Sequence, residues 1–376
     1  MNEKILNEQG MTLIEVMVSM LIGITVVAAA FTALTTTQKA NRANSQVVET
    51  QQNVRVAMDL ISGDIKKAGF GSSGIVGNCN ALVGATAQVA PIVPADKTVG
   101  GNDNGPDSIS MIVPSTGFSP AWTLLNATPV GFNAVTLQAG AGAAMTAAGL
   151  TPGVNNNDLI SIGGLSAVRV LSIAGDILTL GSTVAAPAQF LANTPVYLLQ
   201  CITYQVIQVP DTNNVCGGTA PCLVRGVTTA ASPRQCNVVA PSPCIPIVDG
   251  IEDLQIAYAC DGCNNAINDG TPNGIIDDQG TIDNTFNDAD WVSNNTWATN
   301  SFFTANKIRL AKVGIVARQT QQDLGIGESM QSAQVSSGTV NVSMNNDHVI
   351  AIAGTETGFR RRTLVRTIQT RNIGLW

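Results

Sequence analysis

Glu15 is the only charged residue between Met11 and Leu34, in a run that is otherwise apolar or hydroxyl-bearing. A carboxylate in hydrocarbon costs about 2.5–3.5 kcal/mol on insertion scales, so Glu15 needs a partner. Opposite charges attract strongly in a low dielectric and relieve each other's burial, which makes ion pairing across a contact the chemistry open to it. A second constellation is oxygen-rich. Asp269, Thr271, Asn273, Gly274, Ile276 and Asp277 fall where a calcium loop places its ligands and its turn glycine, with Asp269, Asn273 and Asp277 as the candidate ligands. Gly280 stands where such a loop has its bidentate carboxylate, although Asp278 or Asp283 could reach in. A solvated Asn/Asp/Gly turn is the competing reading.

Cysteine chemistry comes third. Cys79, Cys201, Cys216, Cys222, Cys236, Cys244, Cys260 and Cys263 all lie beyond the apolar run, and an even number suits an oxidising compartment. Local spacing suggests Cys216 with Cys222, Cys236 with Cys244 and Cys260 with Cys263, leaving Cys79 with Cys201; other connectivities stay open. Cys260-Asp261-Gly262-Cys263 could instead be a redox pair or half a zinc site. Zinc needs a second pair or histidines, and the one histidine is His348. No thioredoxin-like helix start follows Cys263.

Catalysis finds little support. A nucleophilic triad would have to use His348, in the polar turn Asn345-Asn346-Asp347-His348. Glu252 and Asp253 are adjacent on a predicted strand, so they point to opposite faces and cannot flank one bond. No phosphate-cradling GxxxxGK[ST] loop is present. The net charge of −7 and pI near 4.7 argue against nucleic acid, which needs clustered Lys and Arg.

The elements that must position these groups begin with a long helix. Met11–Leu34 contains no proline and is long enough to span about 30 Å of hydrocarbon. Competing readings are an anchor whose Glu15 snorkels to the interface, a buried core helix, and a secretory signal cut near Ala28-Ala29-Ala30. Against secretion, residues 1–10 set Lys4 against Glu3 and Glu8, and the apolar run begins with an acid. Lys39 and Arg42 lie beyond the far end, so charge bias alone does not orient the span. Farther on, Val47, Val54, Met58, Ile61 and Ile65 form one apolar stripe. Lys66 and Lys67 followed by Gly69 and Gly71 make a fitting C-terminal stop. Met11–Ala68 thus predicts one helix of about 85 Å, with an anchor plus a separate amphipathic helix as the alternative.

Beyond Gly71 short β-rich runs alternate with Gly, Pro and Asn. Predicted strands are Ser108–Val113, Ala134–Gln138, Leu159–Ile162, Ala167–Ile173, Pro195–Val209, Ile251–Tyr258, Lys307–Ala317 and Thr363–Thr370. Ile202, Tyr204 and Val206 alternate with Thr203 and Gln205, which predicts one buried and one wet face. Ala121–Leu150 reads as long loops or an inserted subdomain. With 12% charged residues, 4% aromatics and 36 Gly, the composition suits a β-rich exported protein better than a cytosolic enzyme.

Gly10-Met11-Thr12-Leu13-Ile14-Glu15 ahead of an apolar run resembles the class III signal of type IV prepilins and type II secretion pseudopilins. The resemblance implies cleavage after Gly10 by a prepilin peptidase, methylation of the new N-terminus at Met11, and pairing of Glu15 with the terminal amine of a neighbouring subunit. Farther along, Gln51-Gln52-Asn53-Val54-Arg55 through Asp64-Ile65-Lys66-Lys67-Ala68-Gly69-Phe70, Asp107-Ser108-Ile109, Leu223-Val224-Arg225 and Val248-Asp249-Gly250-Ile251-Glu252-Asp253-Leu254-Gln255 resemble the PilW family of minor pilins. So do Arg309–Arg318 and Arg360-Arg361-Arg362 through Arg371-Asn372. Gly71-Ser72-Ser73 departs from that pattern, and 261–306 looks like an insertion.

The resemblance implies an α+β, type IV pilin-like fold. It comprises a leader at 1–10, a membrane-spanning or filament-core helix at 11–34, an amphipathic continuation at 35–70 and a β-rich, disulfide-bonded head at 71–376. It implies a non-enzymatic subunit that helps initiate a type IV pilus near its tip. Its partners would be prepilin peptidase, other minor pilins, the major pilin and a tip adhesin. The chain would sit in the inner membrane, head in the periplasm, before it enters the pilus. No cofactor is required; calcium at the Asp269 loop is the one candidate. A type II secretion pseudopilin of the J type, or a secreted calcium-dependent surface-binding protein, is the alternative.

Overall fold

The computed structural model describes residues 11–71, 92–95, 98–99, 102–103, 105–115, 122–129, 131–152, 159–181, 189–211, 214–218, 220–227, 244–262, 274–276, 286–292, 307–321, 339–341, 349–351 and 359–371. Helix α1 (Leu13–Lys67) is continuous over 55 residues, about 80 Å at 1.5 Å per residue. Its apolar N-terminal half stands clear of the head, every residue from Met11 to Leu34 being exposed. Its C-terminal part is amphipathic: Val54, Met58, Ile61 and Ile65 of the predicted stripe are buried, whereas Val47 is only half-buried. Full burial of each such side chain contributes about 1.5–3 kcal/mol. The helix ends at Ala68, and Gly69 takes the left-handed conformation, φ 82°, that turns the chain out.

The strands are β1 (Ile92–Ala95), β2 (Thr98–Val99), β3 (Asn102–Asp103), β4 (Ser108–Pro114), β5 (Trp122–Thr123) and β6 (Ala134–Thr136). After helix α2 (Ala141–Ala147) come β7 (Leu159–Ile162), β8 (Ser166–Ala174), β9 (Ile177–Leu180), β10 (Pro195–Ile207), β11 (Cys222–Val227) and β12 (Cys244–Asp249). The chain continues with β13 (Ile251–Cys260), β14 (Ile308–Arg318), β15 (Thr339–Asn341), β16 (Val349–Ala351) and β17 (Arg361–Gln369). Every strand pairing among the described residues is antiparallel.

Strand β10 is the spine of the larger sheet. Its first half pairs with β7, which leads through β8 and β9 to β6; its second half pairs with β11, which leads to β12, while β4 and β1 extend the other edge. A second sheet has the order β13-β14-β17. Helix α1 lies on that sheet and reaches β4 and β12, so one core unites Val54, Met58, Ile61 and Ile65 with Met111, Tyr204, Leu254, Ile256, Val313 and Ile315. The outer face of β13 is covered by Trp291, which packs on Ala257 and Ala259.

One open reading is decided here and one expectation changes. The described residues of 122–198 build a subdomain with its own core, including Leu124, Leu137, Met145, Ile160, Val170, Leu178 and Val196. Helix α2 lies in it, so of the two readings of Ala121–Leu150, long loops or an inserted subdomain, the subdomain holds. Strand β10 does not have a wet face at Thr203, which is 1% exposed and hydrogen-bonded to Ser110 Oγ at 2.7 Å. On the same side of β10, Phe70, which follows α1, packs over Ile112, Leu159, Leu199 and Cys201. Gly71 (φ 69°) completes the crossing, and a Cβ there would overlap Ser161 Oγ.

Candidate functional site

The N-terminus of α1 is built by two side chains. Thr12 is the N-cap, its hydroxyl accepting from the Glu15 amide at 3.4 Å, while the Thr12 amide donates to Glu15 Oε2 at 3.4 Å. This reciprocal capping box satisfies helix donors that would otherwise be left without an intrahelical partner, and the carboxylate sits at the positive end of the helix dipole. Glu15 is therefore held in place by its own chain and remains exposed to a neighbour. The hydroxyls of the apolar half are also satisfied internally: Ser19 donates to the Val16 carbonyl at 2.9 Å, Thr25 to Ile22 at 2.8 Å and Thr32 to Ala28 at 2.9 Å. With donors and acceptors closed within the helix, this half can lie in hydrocarbon. Its mean hydropathy reaches 2.3 in one 18-residue window, of which none is buried by the head.

At the other end of the molecule, sequence stretches far apart in the chain lock together in pairs. Asp64 of α1 accepts from Tyr204 Oη at 2.6 Å and from Arg225 Nε at 3.1 Å, with Lys67 Nζ at 3.3 Å. Burial, and then the hydrogen bond to Asp64, push the Tyr204 phenol well above its usual range. The helix is thereby tied to β10 and β11. Asp107 at the entry to β4 donates its amide to the Leu254 carbonyl at 2.8 Å and accepts from the Ile256 amide at 2.7 Å, so the strand-entry motif clasps the edge of β13. Gln255 Nε2 adds a bond to the Gly105 carbonyl at 3.3 Å. Glu252 of β13 accepts from Arg361 Nε and Nη2 at 2.6 and 2.8 Å in a bidentate pair that is mostly buried. Gly250 sits between β12 and β13 at φ 77°, its amide bonded to Pro221 and its carbonyl to the Arg318 amide, each at 2.7 Å. A side chain at Gly250 would meet the Arg318 carbonyl at 2.5 Å. Glu252 and Asp253 thus work as separate structural groups. Glu252 binds Arg361, and Asp253 accepts from Gln255 at 3.2 Å.

The remaining predicted groups divide by where they fall. Cys216 and Cys222 are bonded to each other. Cys201, Cys244 and Cys260 are also disulfide-bonded, whereas Cys79, Cys236 and Cys263 lie outside the described residues. Gly10, Asp269, Asn273, Asp277 and His348 lie outside them too, as does most of the insertion at 261–306. Within that insertion, Gly274 is described: its amide donates to both carboxylate oxygens of Asp261 at 3.1 Å, and Asp261 in turn meets Arg309 at 3.5 Å. Among the described residues no group of three His, Cys, Asp or Glu is placed to hold a metal ion. Sequence reasoning missed the partners Tyr204, Arg225 and Arg361. The signal was present, since Asp64, Arg225, Glu252 and Arg361 all fall within stretches that were singled out one at a time.

Two family models match this chain. Residues 212–372 match Type IV Pilus-assembly protein W, and residues 5–31 match the prokaryotic N-terminal methylation motif. The second span contains Gly10, Met11 and Glu15; the first contains Arg225, Gly250, Glu252 and Arg361. Residues 32–211, and with them Asp64, Asp107 and the subdomain core, lie between the two matches. No curated protein and no solved structure matches the chain.

Proposed function

We propose, on the premise that this is a PilW-like chain with a prepilin-type N-terminus, that it is a minor pilin that enters a type IV pilus near its tip and helps to initiate the fibre. The observation that supports this reading is the uncovered half of α1. Met11–Leu34 exposes its apolar side chains, which no described residue of the head buries, and begins at a capped carboxylate. Such a surface is costly in water and needs lipid first and neighbouring helices afterwards. A filament supplies both in sequence: the helix anchors the precursor in the inner membrane, then exchanges lipid for other pilins as the subunit is incorporated.

In this mechanism prepilin peptidase cleaves after Gly10 and the new terminus at Met11 is methylated. Glu15, positioned by Thr12, pairs with the terminal amine of an adjacent subunit, which neutralises two charges in a low-dielectric core. The joints at Asp64, Asp107 and Glu252 keep the helix, the large sheet and the small sheet in one body. The chain performs no chemistry of its own, and energy for assembly comes from elsewhere. Other minor pilins, the major pilin and a tip adhesin are its partners.

Replacing Glu15 with alanine is the direct test. The variant is expected to insert and to be cleaved, yet to be lost from sheared fibres, read by immunoblotting of membrane and fibre fractions. Normal pilus number with normal recovery of the variant in fibres would overturn this role.

A further inference from the structure

The stretch of α1 between its lipid-facing and head-packed parts is supported by neither. The apolar run ends at Leu34, and the buried residues of α1 begin at Thr50. Between them lies Thr35–Glu49, with no buried residue and, among the described residues, one side-chain bond to the head, from Gln46 to Gln321 at 3.4 Å. The sequence is Thr-Thr-Thr-Gln-Lys-Ala-Asn-Arg-Ala-Asn-Ser-Gln-Val-Val-Glu. Threonine, asparagine, serine and valine dominate it, and all are weaker helix formers than alanine or leucine. Lys39 and Arg42 are like charges three residues apart on one face, and no acidic residue lies three or four positions from either. An isolated helix of this length is marginal in water.

Hydrogen bonding lowers the cost of opening further. Thr35 and Thr36 both donate their hydroxyls to the Thr32 carbonyl at 2.9 Å, and Thr37 donates to Ala33 at 2.9 Å. Carbonyls at the start of the stretch therefore keep a partner when a helical amide lets go, and such back-bonding residues bend helices.

We infer that Thr35–Glu49 is a built-in joint, which opens locally so that the head can reorient while the apolar half stays seated. The two flanking segments are held by lipid and by the head core, so loss of helical bonds is confined to the part between them. A subunit that must leave a bilayer and dock at an angle set by its neighbours needs such freedom. The inference rests on the proposed function only through the membrane seating of the apolar half, and its test does not require a pilus.

The test is amide hydrogen exchange, read by mass spectrometry on the full chain in detergent micelles. Amides of 36–46 are expected to exchange at least about tenfold faster than those of 54–66 and of 16–32. A combined variant, Thr35→Ala, Thr36→Ala, Thr37→Ala, Asn41→Ala and Asn44→Ala, is expected to slow that exchange without altering protection at 54–66. Uniform protection along α1, or an unchanged rate in the variant, would overturn the joint. Either result would leave the filament reading untouched, whereas a chain missing from fibres would sink the filament reading and leave the joint standing.

Discussion

Asp64 has three partners, and the one whose proton matters is Tyr204. Its phenol is 0% exposed and donates to Asp64 at 2.6 Å, so the protonated form is favoured in the fold. An unfolded tyrosine titrates near about 10. Because the folded value lies above that, the contribution of Tyr204 is fully present below pH of about 10 and is lost as pH rises through the folded value. Tyr258, raised chiefly by burial, behaves the same way. Tyr204→Phe is expected to cost about 2 kcal/mol at pH 7, because a buried carboxylate loses a donor. It should also lose part of the alkaline decline, read from urea midpoints at pH 7 and above pH 10, with Tyr258 supplying the remainder. A variant as stable as the parent at pH 7, with an equal alkaline slope, would contradict this account. At the opposite end of the scale, amides of Gly142 and Gly140 hold the Asp176 carboxyl below its usual range, so its contribution is present above the unfolded carboxylate value and lost in acid.

Among the elements, β13 is the hub, gripped along its edge by Asp107 and across its face by Arg361. Arg361 is 6% exposed at its side chain and Glu252 11%, so removal of one partner leaves a charge with little water around it. Arg361→Met is expected to lower stability by about 3 kcal/mol, and the double variant Glu252→Gln with Arg361→Met by less than the single change. Chemical denaturation followed by circular dichroism reads both; a single variant within about 0.5 kcal/mol of the parent would place the hub elsewhere. Strands such as Leu159–Ile162 and Ile308–Arg318 were legible because β-branched and apolar residues run between clear turn signals. Helix α1 was legible from its period. Helix α2 was not, because Ala141-Gly142-Ala143-Ala144 has no apolar stripe and its N-terminal amides are satisfied by Asp176, 36 residues from Gly140. Strands β11 and β12 were missed as well, since prolines and cysteines break their pattern. The partners of Asp64 and Glu252 were hidden for a different reason: no local period reports a contact between residues 161 or 109 positions apart.

Among the described residues the molecule has an exposed apolar rod and a head whose two largest hydrophobic cores are one shared with α1 and one confined to residues 122–198. The rod was readable from sequence because one acid and an unbroken apolar run leave few alternatives. The head's division into two cores was not, because strand pairing across β10 depends on long-range register. The PilW-matched region supplies the small sheet and the edge of the large one, and the subdomain lies outside that match. N-terminal mass spectrometry on protein from inner membranes and, separately, from sheared surface fibres tests the filament role most directly. Chains beginning at N-methylated Met11 in both fractions are the expected result, whereas chains beginning near Phe31 and found only in the medium would contradict it and mark a secreted binding protein.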